Sequence, residues 1–176
     1  TDENGADAVA NSERLSRAGA EAVKLEGRLP GIIRAIIKAG IPVMGHLGLL
    51  PQTAKKYTVQ GKTEEDAKVL LADAKALQEA GVFSIVLEMV AAETTKHITE
   101  AVYVPTIGIG CGKECDGQVI VIHGMLGLYE KMTPKFVKKY LSLSEMIKKA
   151  VAEYVENVGN RTFPAEEHTF QMEAQK

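Results

Sequence analysis

Three short phrases in this chain end an apolar run on a side chain that can carry a proton or a charge. Ala80-Gly81 leads through Val82-Phe83-Ser84-Ile85-Val86-Leu87 to Glu88, and Ala18-Gly19 leads through Ala22-Val23 to Lys24-Leu25-Glu26. In both, the glutamate lies seven residues after the glycine. A third phrase, from Ala39-Gly40 to Gly45-His46, puts a histidine six residues after its glycine. Each reads as a helix C-cap glycine, a strand, and a polar group at the strand's far end. Ligands of parallel α/β sheets and barrels bind outside the carboxyl ends of the strands, so the phrases bring three polar groups to one rim.

These residue types suit acid–base work on an anion. Glu88 sits among Leu87, Met89 and Val90; poor solvation raises a carboxyl pKa and makes a better base near neutrality. Its bland alternative is a carboxylate that caps a helix or anchors a loop. Lys24 and Glu26 are two apart on one strand, so both side chains leave the same face. On a barrel interior they would form a charged pair at the rim, whereas an exposed pair would be worth little. His46, between Gly45 and Gly48, can reach a ligand that approaches the backbone closely, or can hydrogen-bond its own loop. Gly108-Ile109-Gly110-Cys111-Gly112 lacks the Lys-Ser/Thr ending of a P-loop and the GxGxxG spacing, and reads as a tight turn. His123 and His168 read as structural or solvent-facing.

The elements that must hold these groups follow from periodicity. A weak helical pattern covers Asp7–Arg17, and strands are expected at Ala22–Glu26, Ile41–Gly45, Val82–Glu88, Val104–Ile109 and Gln118–Ile122. Pro30 opens a helix whose face carries Ile32, Ile33, Ile36 and Ile37. Thr63-Glu64-Glu65-Asp66 resembles a capping box before a helix with Ala67, Leu70, Leu71, Ala74 and Leu77 on one face. Further helices are expected at Glu93–Ala101, from Thr133-Pro134 through Tyr140, and from a Ser144 cap to Gly159. The polar loop after His46, reaching Lys62, is too long for a plain connector and is expected to cover a site. The tail, Asn160–Lys176, reads as mixed polar and partly mobile.

Five strands alternating with helices specify a parallel α/β fold. A (β/α)8 TIM barrel takes about 250 residues, and this chain has 176. The expectation is one domain, 1–176, holding about the last five βα units of such a barrel, with the earlier strands lying before Thr1. A net charge of −2 without a basic cluster gives no reason to expect nucleic acid. With 45% hydrophobic and 25% charged residues, the composition is that of a soluble globular protein, without a membrane-spanning run or signal peptide. Cys111 and Cys115 are too few for a disulfide framework and read as reduced thiols in a cytoplasmic protein.

Five motifs occur in order. They are Val23-Lys24-Leu25-Glu26-Gly27; Gly45-His46-Leu47-Gly48-Leu49-Leu50-Pro51-Gln52; Leu87-Glu88; Gly108-Ile109-Gly110 through Asp116-Gly117-Gln118; and Phe163-Pro164-Ala165-Glu166-Glu167-His168. Together they resemble the ketopantoate (3-methyl-2-oxobutanoate) hydroxymethyltransferases of the phosphoenolpyruvate/pyruvate barrel superfamily. The resemblance implies transfer of a hydroxymethyl group from 5,10-methylenetetrahydrofolate to 3-methyl-2-oxobutanoate through a Mg²⁺-stabilised enolate, for pantothenate and coenzyme A synthesis. It implies a large homo-oligomer, with Glu88 as proton acceptor, Lys24 and His46 at the substrate, and Glu26 in the magnesium environment. The match begins after the family's first three strands, which carry two metal-binding aspartates and a substrate-binding serine. Ala91, Cys111 and Gly124 depart from the proline, alanine and aspartate common in the family. Competing readings are a lyase or mutase of the same superfamily, whose usual cysteine-bearing loop is missing from 41–62, and a non-catalytic assembly barrel.

Overall fold

The computed structural model describes residues 5–129 and 133–172. The chain forms two compact units, residues 1–119 and 120–176.

The first unit alternates helix and strand: α1 (Gly5–Arg17), β1 (Val23–Glu26), α2 (Pro30–Lys38), β2 (Val43–Gly48), α3 (Glu64–Ala80), β3 (Ser84–Glu88), α4 (Ala92–Ala101), β4 (Thr106–Ile109) and the short β5 (Gly117–Gln118). The five strands are parallel and lie in the sheet in chain order. Right-handed crossovers that always step in one direction place every connecting helix on the same face. Successive helices accordingly pack against one another, α1 on α2, α2 on α3 and α3 on α4. A singly wound sheet of this kind is a run of TIM-barrel staves, with a helix-covered outer face and an inner face.

Register fixes which residues lie on which face. Leu25, Gly45 and Ile85 are level with one another, as are Leu47 and Leu87. Their face meets the helices, where Ile33, Ile36, Leu77 and Ile98 are fully buried. A Cβ on Gly45 would lie 2.8 Å from Leu77 Cδ1, so α3 approaches β2 as closely as it does only over a glycine. The alternate positions Lys24, Glu26, Met44, His46, Val86 and Glu88 therefore belong to the inner face.

The capping box proves to be a Thr63 cap, whose side-chain oxygen accepts the Asp66 N–H at 3.1 Å. Thr63→Ala should cost about 1 kcal/mol, read as a shift of the denaturant midpoint without a change in slope.

Four sequence expectations need correction. β2 runs on to Gly48, so His46 lies within the strand and not at its far end. The fifth strand stops at Gln118, because β4 turns away at Gly110 (φ +68°) and offers no further edge; residues 122–125 instead form α5 (Ile122–Met125), with His123 in it. In the second unit, residues 133–140 make a turn and not a helix. Tyr140 N–H donates back to the Met125 carbonyl at 2.8 Å, which draws the segment out along α5. Finally, α6 (Leu143–Gly159) has Ser142 at its cap position with no side-chain cap bond, and Ser144 lies inside the helix. Its start is set instead by the Leu143 N–H on the Leu126 carbonyl at 2.9 Å. In the tail, Glu166–His168 forms a single 3-10 turn.

Candidate functional site

Lys24, Glu26, His46 and Glu88 meet at the carboxyl ends of β1, β2 and β3. Pairing places Glu26 level with His46 and Gly48 level with Glu88. Lys24 Nζ is 2.9 Å from His46 Nδ1 and 3.7 Å from Glu26 Oε1. His46 Nε2 is 2.9 Å from the Leu49 carbonyl and 3.4 Å from Glu88 Oε2. All four sequence candidates are thus in one connected cluster, at the rim their spacing predicts.

The hydrogen-bond pattern fixes the state of the imidazole. An ammonium can only donate, so Nδ1 must accept from Lys24, and the ring proton sits on Nε2, donated to Leu49. Burial and the Lys24 charge both hold the His46 pKa below its ordinary value, which keeps the ring neutral. The His46 side chain is only 3% exposed, so the ring orients its neighbours more than it meets solvent. Of the two readings of this residue the structure shows the loop bond, to the Leu49 carbonyl, and it also sets the ring against Lys24 and Glu88.

Glu88 is the carboxylate of the cluster whose acidity is perturbed. Burial pushes its carboxyl above the usual range, the Glu26 charge adds to this, and Lys24 opposes it. A base poised in this way lies closer to neutral pH than a free carboxylate does. The residue after it, Met89, is held in the left-handed region at φ +48°. Its N–H donates to the Ile109 carbonyl at 2.9 Å, and its own carbonyl accepts the Gln60 N–H at 2.8 Å. Such strain persists only where the surroundings over-determine it.

The loop after β2 starts and ends on this rim. Gln52 N–H donates to Glu26 Oε2 at 3.2 Å, and Gln60 pairs with the backbone on both sides of Val90. Ala91 N–H donates to the Gln60 carbonyl at 2.9 Å, a bond that a proline at this position could not make. Leu49 and Gln60 act through backbone groups, which every residue type but proline carries in full, so sequence could not single them out. At Gly124, a Cβ would lie 2.9 Å from Val137 Cγ1, so the glycine is matched to its packing within the second unit.

Magnesium takes about six oxygen ligands in near-octahedral geometry. One Glu26 oxygen faces Lys24 and the other accepts a backbone N–H, and His46 has both nitrogens engaged. Among the described residues no group of three or more His, Cys, Asp or Glu side chains is arranged to hold a metal. These residues by themselves do not fit a magnesium site. A pocket of about 540 Å³ at the starts of α3 and α4 contains none of the four rim residues.

A parallel βα sheet in chain order, with a lysine, a neutral histidine and two carboxylates clustered toward the carboxyl side of β1, β2 and β3, defines the rim of a partial (β/α) barrel. The sequence matches the family profile described as Ketopantoate hydroxymethyltransferase over residues 1–166, and the chain belongs to that family. It is 53% identical over 97% of its length to the 3-methyl-2-oxobutanoate hydroxymethyltransferase of Nitrosopumilus maritimus, covering 63% of that protein. It is 56% identical over 96% of its length to the enzyme of the same description from Cenarchaeum symbiosum, covering 66%. The chain thus spans a little under two thirds of the length of these relatives. Among solved structures, a phosphonopyruvate hydrolase has a TM-score of 0.49 at 14% identity, covering 96% of this chain and 61% of that one.

Proposed function

We propose that this chain carries the base-bearing part of a (β/α)8 rim that transfers a hydroxymethyl group to 3-methyl-2-oxobutanoate. The observation that carries the reading is a carboxylate of raised pKa held 3.4 Å from a neutral, buried imidazole whose other nitrogen bonds a lysine. Glu88 removes the C3 proton of the keto acid. Negative charge then develops on the keto oxygen, where the Lys24 ammonium can face it. The C3 carbon attacks the one-carbon unit of 5,10-methylenetetrahydrofolate and gives 2-dehydropantoate, the precursor of pantothenate and coenzyme A. His46 keeps the ammonium and the carboxylate in register. Glu26 would belong to a magnesium environment only together with ligands other than these four residues.

Exposed Ile147, Val151, Tyr154, Val155 and Val158 form a stripe along α6 and support assembly into a homo-oligomer. No described helix is long and apolar enough to cross a membrane, and the keto acid and folate substrates of the proposed reaction support a cytoplasmic setting.

The direct test is to supply the protein with both substrates and follow the hydroxymethyl product by NMR. Product formed only with both substrates is expected, and no one-carbon transfer from the folate would overturn the reading. The electrostatics add a signed expectation. Glu26 raises the Glu88 pKa, so Glu26→Gln should move the acid limb of the kcat/KM profile to lower pH. An upward movement would contradict the assignment of Glu88 as the group behind that limb.

A further inference from the structure

Cys111 and Cys115 take no part in the rim cluster, yet they are not scattered thiols. Their sulfurs lie 3.8 Å apart on the loop that leaves β4. Both pack over Gly108, where an added Cβ would come within 2.8 Å of the Cys111 sulfur and 3.1 Å of the Cys115 sulfur. Only a residue without a side chain leaves room for the pair. The loop between them contains no helix or strand and includes Gly112 at φ +94°, so little holds the sulfurs apart. A disulfide has its sulfurs about 2.05 Å apart, a closure of roughly 2 Å.

We propose that Cys111 and Cys115 are a redox pair, oxidised by a hydroperoxide to an intramolecular disulfide and restored by thiol reductants. Cys115 is the attacking sulfur. It is partly exposed while Cys111 is buried. A hydrogen bond with Cys111, and then the Thr106 and Thr99 hydroxyls, hold its thiol below the ordinary range. Its thiolate attacks one peroxide oxygen: an S–O bond forms, the O–O bond breaks, and the departing hydroxide leaves as water after taking a proton. The Cys111 sulfur then attacks the sulfenic sulfur, forming S–S and breaking S–O, and its proton leaves with the hydroxide as a second water. Two thiols and one hydrogen peroxide thus give one disulfide and two waters.

The surroundings of Cys111 suit the resolving role. Its hydrogen bond with Cys115, and then burial, hold its thiol high and unreactive. The larger of these causes disappears once Cys115 is oxidised. The fully buried Thr95 hydroxyl beside it favours the thiolate form of Cys111. It is placed to donate to the sulfur as the proton leaves.

The test treats the fully reduced protein with stoichiometric hydrogen peroxide and maps its peptides without reduction. A Cys111–Cys115 cross-link within one chain, lighter by two hydrogens and reversed by dithiothreitol, is expected. In Cys111→Ser, a sulfenic acid on Cys115 should persist and be trapped by dimedone. In Cys115→Ser, Cys111 should stay unlabelled at the same dose. Two thiols still open to alkylation in the unfolded wild-type protein after treatment, or a bridge between two chains, would overturn the proposal. Dimedone on Cys111 in place of Cys115 would overturn the assigned order of attack. Mapping of the wild-type protein decides the matter even where a serine variant fails to fold.

Discussion

Glu88→Gln is expected to lower turnover by about 10²–10⁴-fold, the usual loss when a positioned general base is removed. Keto acid binding should change little. Glutamine keeps the volume of the side chain and still presents an oxygen to His46 Nε2, now 3.4 Å from Glu88 Oε2. What it cannot do is accept the C3 proton. The two roles open to this carboxylate then separate cleanly. An anchoring role would show as a lower melting temperature with kcat nearly unchanged; a catalytic role shows as lost kcat in a normally folded protein. Steady-state kinetics and thermal melts on the same preparation distinguish them.

Gly48→Ala should be the most damaging small substitution near the site. Gly48 has φ +91°, where L side chains are strained, and its Cβ would land on the Glu88 carbonyl and 2.6 Å from Val90 Cγ2. Val90 is 1% exposed and cannot swing away. That same Glu88 carbonyl accepts the Leu49 N–H at 2.8 Å, so relief of the overlap would break the contact between β3 and the loop holding His46. Left-handed strain and overpacking each cost about 1–3 kcal/mol, and together should remove about 3 kcal/mol or more. Denaturant titration should show this loss, with activity falling alongside it. A variant as stable and active as the parent would mean that β2 and β3 are not paired in this register.

Much of the arrangement was legible in the sequence because the chemistry repeats with the fold. A glycine cap followed at fixed spacing by an acid fixes both the strand and its end, and Glu26 and Glu88 fell where that phrase placed them. At His46 that spacing no longer marks the strand end. The phrase put it at a strand end, but Gly48 and not Gly45 terminates β2, so the ring lies inside the strand and takes up its contacts between Lys24 and Glu88. Apolar residues misled where nothing local marks their partner: Val119, Val121 and Ile122 look like a strand, yet β4 leaves no edge beyond Gly110. Pro134 looks like a helix start, but the Met125 carbonyl takes the Tyr140 N–H, a contact that periodicity does not encode. Backbone partners such as the Leu49 carbonyl carry no signature at all.

Glu88, raised in pKa by burial and steadied by His46 and Lys24, is proposed as the base that takes the C3 proton of the keto acid. Exchange of the C3 hydrogen of 3-methyl-2-oxobutanoate for deuterium, followed by NMR without the folate, reads that step alone. The parent protein should catalyse exchange, with a rate that rises with pH through a value above that of an ordinary glutamate, and Glu88→Gln should abolish it. Undiminished exchange in Glu88→Gln would contradict the account.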